Sequence, residues 1–175
     1  MESRKTARAS ARGQAAVELA LLIPILMLLM FGVFQIARVF YTYHTLQKAL
    51  RGGAGFIAHL SGVNYCDDQN ESFLDARNYI VYGNLEGSGV PVVNGLTPEM
   101  IQILPERADA ETATVDQCPC SDEASSCDIT SGGRVPDYVV VNLGAAGFPV
   151  EVPFPFITLG AIPLHVSVRM AVLGG

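Results

Sequence analysis

From Leu19 to Phe34 the chain carries no charged or strongly polar residue. With Ala15–Val17 before it and Ile36–Ala37 after it, the run approaches the ~20 residues that cross the hydrocarbon core of a bilayer. Arg4, Lys5, Arg8 and Arg12 precede it, so the positive-inside rule sets the N-terminus in the cytoplasm and the long C-terminal part outside. A cleaved secretory signal is the competing reading. Its apolar region would be unusually long, and Phe34-Gln35-Ile36-Ala37 puts Gln35 where a signal peptidase needs a small residue. The run reads as a retained membrane helix.

Charge divides the chain in the same way. The 175 residues have 11 Lys+Arg against 17 Asp+Glu, a formal net charge of −6. Residues 1–51 hold a surplus of +5, and residues 52–175 carry −11. Excess acid repels phosphate, which excludes a free nucleic-acid binder. A 50% hydrophobic content with only 16% charged residues excludes a disordered chain.

Glu18 is out of place at the edge of such a helix. A carboxylate at the bilayer centre costs about 2.5–3.5 kcal/mol, and less near an interface. One reading leaves it shallow enough to reach the headgroups, without a role. The other needs a cation supplied by assembly. If the chain is cut between Gly13 and Gln14, Glu18 becomes the fifth residue, and the new α-amino group is mostly protonated. A neighbouring subunit's amine can then pair with Glu18 inside a bundle of apolar helices, rewarding one axial stagger over others.

A basic leader ending in Gly13, then Gln14-Ala-Ala-Val-Glu18 and an apolar run, resembles the processing site of type IV prepilins. The closer resemblance is to TadE-like pseudopilins of tight-adherence, Flp-type pilus systems. Their order of features is met here by Pro24, Gly32, Arg38, Phe40-Tyr41, Leu46-Gln47, Ala49, Arg51 and Gly52. Weaker likeness continues through Ala76-Arg77-Asn78, Val81-Tyr82-Gly83-Asn84 and Gly89-Val90-Pro91, and ends at Phe154-Pro155-Phe156 and Val168-Arg169-Met170. Leu19 stands where an aromatic is usual, and Gly55 where the family often has Arg. The resemblance implies a structural or assembly component of a pilus, cleaved after Gly13 by a prepilin peptidase. Gln14 is then the new N-terminus and Glu18 the assembly carboxylate. The implied partners are that peptidase, other pilins or pseudopilins through the N-terminal helix, and the inner-membrane assembly platform. The location is the inner membrane, with the C-terminal domain in the periplasm or in an extracellular pilus. The alternative is a bitopic inner-membrane protein with a disulfide-stabilised periplasmic sensor or ligand-binding domain.

After Phe34 the apolar residues become periodic: Ile36, Val39, Phe40, Tyr43, Leu46, Leu50, Ala54 and Ile57. Steps of three and four predict one helical stripe lying on a globular domain. From Gln14 to Leu60 that helix would run roughly 70 Å at ~1.5 Å per residue. Pro24 predicts a kink, and Gly52, Gly53 and Gly55 predict an end or bend. The division is a basic leader over 1–13, a transmembrane part over 14–37, an amphipathic continuation over 38–60, and an exposed domain over 61–175. No internal repeat is present.

That domain is predicted to be α+β, with the helix packed on antiparallel strands in a pilin-like way. A short helix over Glu71–Tyr82 is expected to become extended at Tyr79–Tyr82. Strands are expected at Val90–Val93, Met100–Leu104, Thr112–Val115, Asp137–Leu143 and Pro163–Val172. The prolines from Phe148 to Phe156 confine that stretch to an edge or loop.

Cys66, Cys118, Cys120 and Cys127 all fall in the part placed outside, where an even number points to two disulfides. Cys118 and Cys120 are too close to pair without strain, so Cys66 pairs with Cys118 or Cys120, and Cys127 with the other. A zinc site is disfavoured, since its paired ligands prefer spacings of two to four. A thiol redox centre at Cys118-Pro119-Cys120 lacks the usual two-residue spacer. Asp67-Asp68 and Asp122-Glu123 lack the spacing of an EF-hand loop, and the acidic stretch Cys118–Gly133 reads as a solvated loop. His44, His59 and His165 neighbour no nucleophile or carboxylate motif and are expected to be partly buried structural groups. Neither catalysis nor a metal or cofactor is indicated.

Overall fold

The computed structural model describes residues 3–109, 113–120, 127–154, 157–158 and 160–173. It divides into two compact units, Met1–Phe40 and Tyr41–Gly175. One helix, α1 (Ser3–Ala58), begins in the first unit and ends in the second. It starts well before Gln14 and includes Pro24 without interruption. The three glycines do not end it either. It runs through Gly52, Gly53 and Gly55 to Ala58 because the second unit packs against that stretch.

In the first unit the apolar run is largely open, up to Met30, whereas Phe31 is half-buried and Gln35 just beyond the run is buried. Leu21, Met27, Met30 and Val33 are each between 66% and 77% exposed. A helix apolar all round with nothing over it is built for hydrocarbon rather than for a protein core.

In the second unit α1 becomes a core helix. Leu46, Leu50, Ala54 and Ile57 are fully buried, which accounts for the lower half of the predicted stripe. The upper half differs: Ile36 and Phe40 are exposed and belong to the apolar shaft. A second helix, α2 (Glu71–Tyr82), is helical to its last residue, so the expected extension at Tyr79–Tyr82 does not form. Asn70 caps its start by accepting from Ser72 N, and the left-handed Gly83 closes its end by donating to Tyr79 O. Those caps, with Ile80 and Val81 fully buried, outweigh the β preference of Tyr-Ile-Val-Tyr. Gly53 lets the two helices approach, since a Cβ there would overlap the Ile80 side chain.

Four strands form the main sheet: β1 (Ile101–Ala108), β2 (Val115–Gln117), β3 (Tyr138–Leu143) and β8 (Ser167–Ala171), in the order β2-β1-β3-β8, all antiparallel. β3 lies inside the sheet, which explains its continuous Val139-Val140-Val141 run. Its inward residues Val139, Val141 and Leu143 meet Ile101 and Ile103 of β1 and Val168 of β8 in one apolar layer. On the other face Glu106 and Arg169 pair at 2.7 Å across β3.

β1 runs beyond the expected Leu104, through Pro105. The Pro105 carbonyl accepts from Cys118 N, but proline has no N–H to return the bond, and the β1–β2 ladder begins at the next residue, Glu106. The expected strand over Pro163–Val172 is two strands. β7 (Ile162–Leu164) pairs with β4 (Phe148–Val150), and β8 pairs with β3. A short pair, β5 (Pro153–Phe154) with β6 (Ile157–Thr158), lies between them. Val90–Val93 is not a strand, and Val90 is 86% exposed. Of the expected Thr112–Val115 strand, Thr112 lies outside the described residues and Val115 opens β2. Pro155, Phe156, Asp122 and Glu123 also lie outside them. The observed class is α+β, a long apolar N-terminal helix with an antiparallel sheet.

Candidate functional site

The N-terminal candidates sit on one continuous helix. Residues four apart share a face, so Gln14 and Glu18 come together: Gln14 Nε2 donates to Glu18 Oε1 at 3.4 Å. Both are exposed. A Cβ on Gly13 or on Gly32 would meet nothing within 4 Å. Neither glycine is required by packing within the described chain. Met1 and Glu2 lie outside the described residues, as do the side chains of the leader's basic residues.

The cysteines form a separate, structural cluster. The bonds are Cys66–Cys120 and Cys118–Cys127, and no cysteine is free. This is one of the two pairings left open by the spacing. Cys127 and Cys118 are buried, whereas Cys120 is exposed. Asp128 ties the cluster together. It accepts from Thr130 N at 2.9 Å, Thr130 Oγ1 at 2.6 Å, Ser131 Oγ at 3.2 Å and Asn64 Nδ2 at 3.1 Å. Asn64 Oδ1 in turn accepts from Cys66 N. The Thr130 hydroxyl above all, then its backbone N–H, hold the Asp128 carboxyl below the ordinary carboxylate range. The segment between α1 and α2 is thereby fastened to residues that lie between β2 and β3. With Cys118 and Cys120 bonded to different partners, Cys118-Pro119-Cys120 is not a dithiol centre.

Tyr65 closes the end of α1. Its hydroxyl donates to Ile57 O at 3.0 Å, its ring meets Phe73 edge-on, and burial pushes its phenol up to about 12. Sequence reasoning passed over this residue, because a lone tyrosine in a loop carries no pattern.

The histidines are not where they were expected. His44, His59 and His165 are all exposed; His59, just past the end of α1, has its Nδ1 2.7 Å from Gly55 O in the last turn of that helix. Among the described residues no group of three or more His, Cys, Asp or Glu could hold a metal ion. Among the described residues one open depression is bounded by Tyr41, Lys48, Tyr79 and Val92, and another by Arg134, Asp137, Tyr138 and Ala171. Neither sets a nucleophile beside a base.

α1 is thus the feature with a directed chemistry. The stretch Gly13–Ala58 contains a window of mean hydropathy 2.6 that is only 6% buried, too open for the core helix of a soluble domain. By length and composition it can cross a membrane. The model of the TadE-like protein family matches residues 13–54, so this stretch of the chain is similar to that family. The match opens on Gly13, includes Glu18 and closes among the glycines that face α2. No curated protein matches the chain, and no solved structure does.

Proposed function

We propose that the chain is a pseudopilin, a minor structural or assembly component of a tight-adherence pilus, anchored by α1 and cleaved after Gly13 by a prepilin peptidase. The observation that carries this reading is where the TadE-like match begins. It starts at the glycine that ends the basic leader and keeps Glu18 five residues into the mature chain. An ordinary anchor gains nothing from a carboxylate at the mouth of its apolar run. A subunit that must enter a bundle of identical helices gains a register mark.

The orientation follows from the leader's four basic residues, with the N-terminus in the cytoplasm and the disulfide-bonded domain in an oxidising space. Partners are the peptidase, other pilins or pseudopilins along α1, and the membrane platform that extracts them. The open apolar shaft supports this, because a helix without cover in its own chain takes lipid first and sister helices later.

The test compares the intact mass of the membrane-extracted protein from cells with and without the peptidase. Loss of residues 1–13 only where the peptidase is present supports the reading. A chain that keeps Met1 in both sinks it and leaves the bitopic sensor as the better account.

A further inference from the structure

The contact between Gln14 and Glu18 has a chemical consequence once Gln14 is the first residue. Cleavage after Gly13 is the reading on which this inference rests. A first-position glutamine carries its own electrophile, since its α-amine and its side-chain carbonyl carbon are spaced to close a five-membered ring. The uncharged amine attacks Cδ, an N–Cδ bond forms, the Cδ–Nε2 bond breaks, and the amide nitrogen departs as ammonia with a proton given up by the amine. Neither water nor an oxidant is consumed. The product is pyroglutamate, a neutral lactam where an ammonium stood.

We propose that Gln14 is a self-modification site and that Glu18 of the same chain is the brake on it. The helix brings Gln14 Nε2 to Glu18 Oε1 at 3.4 Å. That contact is long, and what it establishes is reach: the carboxylate lies one helical turn from the residue that becomes the terminus. It acts there in two ways. It holds the amide nitrogen that must leave, and its negative charge lies beside the ammonium that must give up a proton before it can attack. Both side chains are exposed, so the described chain offers no other shield.

The brake matters because ring closure removes the cation that pairing requires. A cyclised subunit would carry Glu18 into an apolar bundle with no ammonium to meet it. The same carboxylate thus preserves the charge it later uses. It is a positioning residue for the terminus before it is a contact between subunits.

The test uses the full chain, extracted from membranes of peptidase-positive cells and incubated at neutral pH, with mass spectrometry of the N-terminal peptide over time. In the parent the peptide begins at Gln14 and keeps its ammonia. In Glu18→Ala the ring-closed fraction at a fixed time rises several-fold above the parent. Glu18→Gln removes the charge but keeps a hydrogen-bond acceptor, and rises less. Gln14→Asn retains its ammonia in either background, because its ring would have four members. Equal loss of ammonia in parent and Glu18→Ala, or none in either, overturns this inference and leaves processing intact. A chain that begins at Met1 overturns the processing reading and this inference together.

Discussion

The side chain of Ile80 on α2 fills the space into which a side chain at Gly53 on α1 would project. The Ala76 carbonyl oxygen stands 3.3 Å from the same point, so the helix backbone itself crowds it. Gly53→Ala should therefore force the helices apart. Overpacking costs about 1–3 kcal/mol, against a gain of about 1 kcal/mol in helix propensity. Gly52→Ala meets only the Tyr79 ring edge at 3.1 Å on an exposed face, and that ring can turn aside. Thermal unfolding of the detergent-solubilised chain should show a lower melting temperature for Gly53→Ala than for Gly52→Ala. Equal melting would show that close approach is not what position 53 requires.

The two disulfides should open in order. Cys120 is exposed, whereas Cys118 is 3% and Cys127 0% exposed. Attack by an external thiolate depends on access. Graded reduction followed by alkylation and peptide mapping should label Cys66 and Cys120 first. The converse order would mean that the sheet end opens more readily than its packing implies.

Removal should rank them differently from reduction. Cys66–Cys120 spans a sequence separation of 54, and Cys118–Cys127 one of 9. Chain-entropy arguments give about 4 kcal/mol for the longer loop and about 3 kcal/mol for the shorter. Replacing Cys66 and Cys120 by Ala should lower the denaturant midpoint at least as much as replacing Cys118 and Cys127. A larger loss from the shorter loop would assign the stabilisation to buried sulfur packing.

Much of this architecture was legible because patterns of period two and 3.6 survive folding. Tyr138–Leu143 declares itself by three valines in a row, and Leu46, Leu50, Ala54 and Ile57 by their spacing. What failed did so for local reasons. Val90–Val93 has β-branched residues but stands between Gly89 and Gly95, both in the left-handed region, and makes one backbone bond to Val81 O. Pro163–Val172 alternates well, yet nothing in the alternation reveals that its halves serve different sheets. At the N-terminus Gly13, Gln14 and Glu18 were legible as a spacing. The Asn64–Asp128 link was not, because two loop residues 64 apart share no pattern.

Acid should loosen the disulfide-bonded end. Hydrogen bonds from Thr130 chiefly hold the Asp128 carboxyl below its ordinary range. A depressed folded-state pKa contributes stability above the unfolded value and loses it as pH falls through the folded one. The parent should lose melting temperature over that acidic window, while Asp128→Asn should start lower at neutral pH and lose less. Parallel curves would deny Asp128 a part in the acid response.

Glu18→Gln tests assembly. Processing should persist, because the leader and Gly13 are untouched. Deleting one partner of a buried pair costs about 3–5 kcal/mol. Incorporation into pili should fall by roughly two to three orders of magnitude, at ~1.4 kcal/mol per tenfold. Surface pili are counted in cells lacking the native copy. Normal pili built with processed Glu18→Gln would remove Glu18 from assembly, and lost cleavage would place its role at the peptidase.

The last strand finishes the first helix. Leu173 N donates to Ala58 O at 2.9 Å, at the C-terminal end of α1, and β8 completes the sheet beside β3. Ribosomes deliver these pieces in the opposite order from their dependence: α1 emerges more than a hundred residues before Leu173, which closes it. Throughout that interval the apolar face of Leu46, Leu50, Ala54 and Ile57 lacks the sheet that completes its cover. Closing the domain therefore waits for β8, and a chain stalled before it presents a sticky helix to whatever chaperone is nearest.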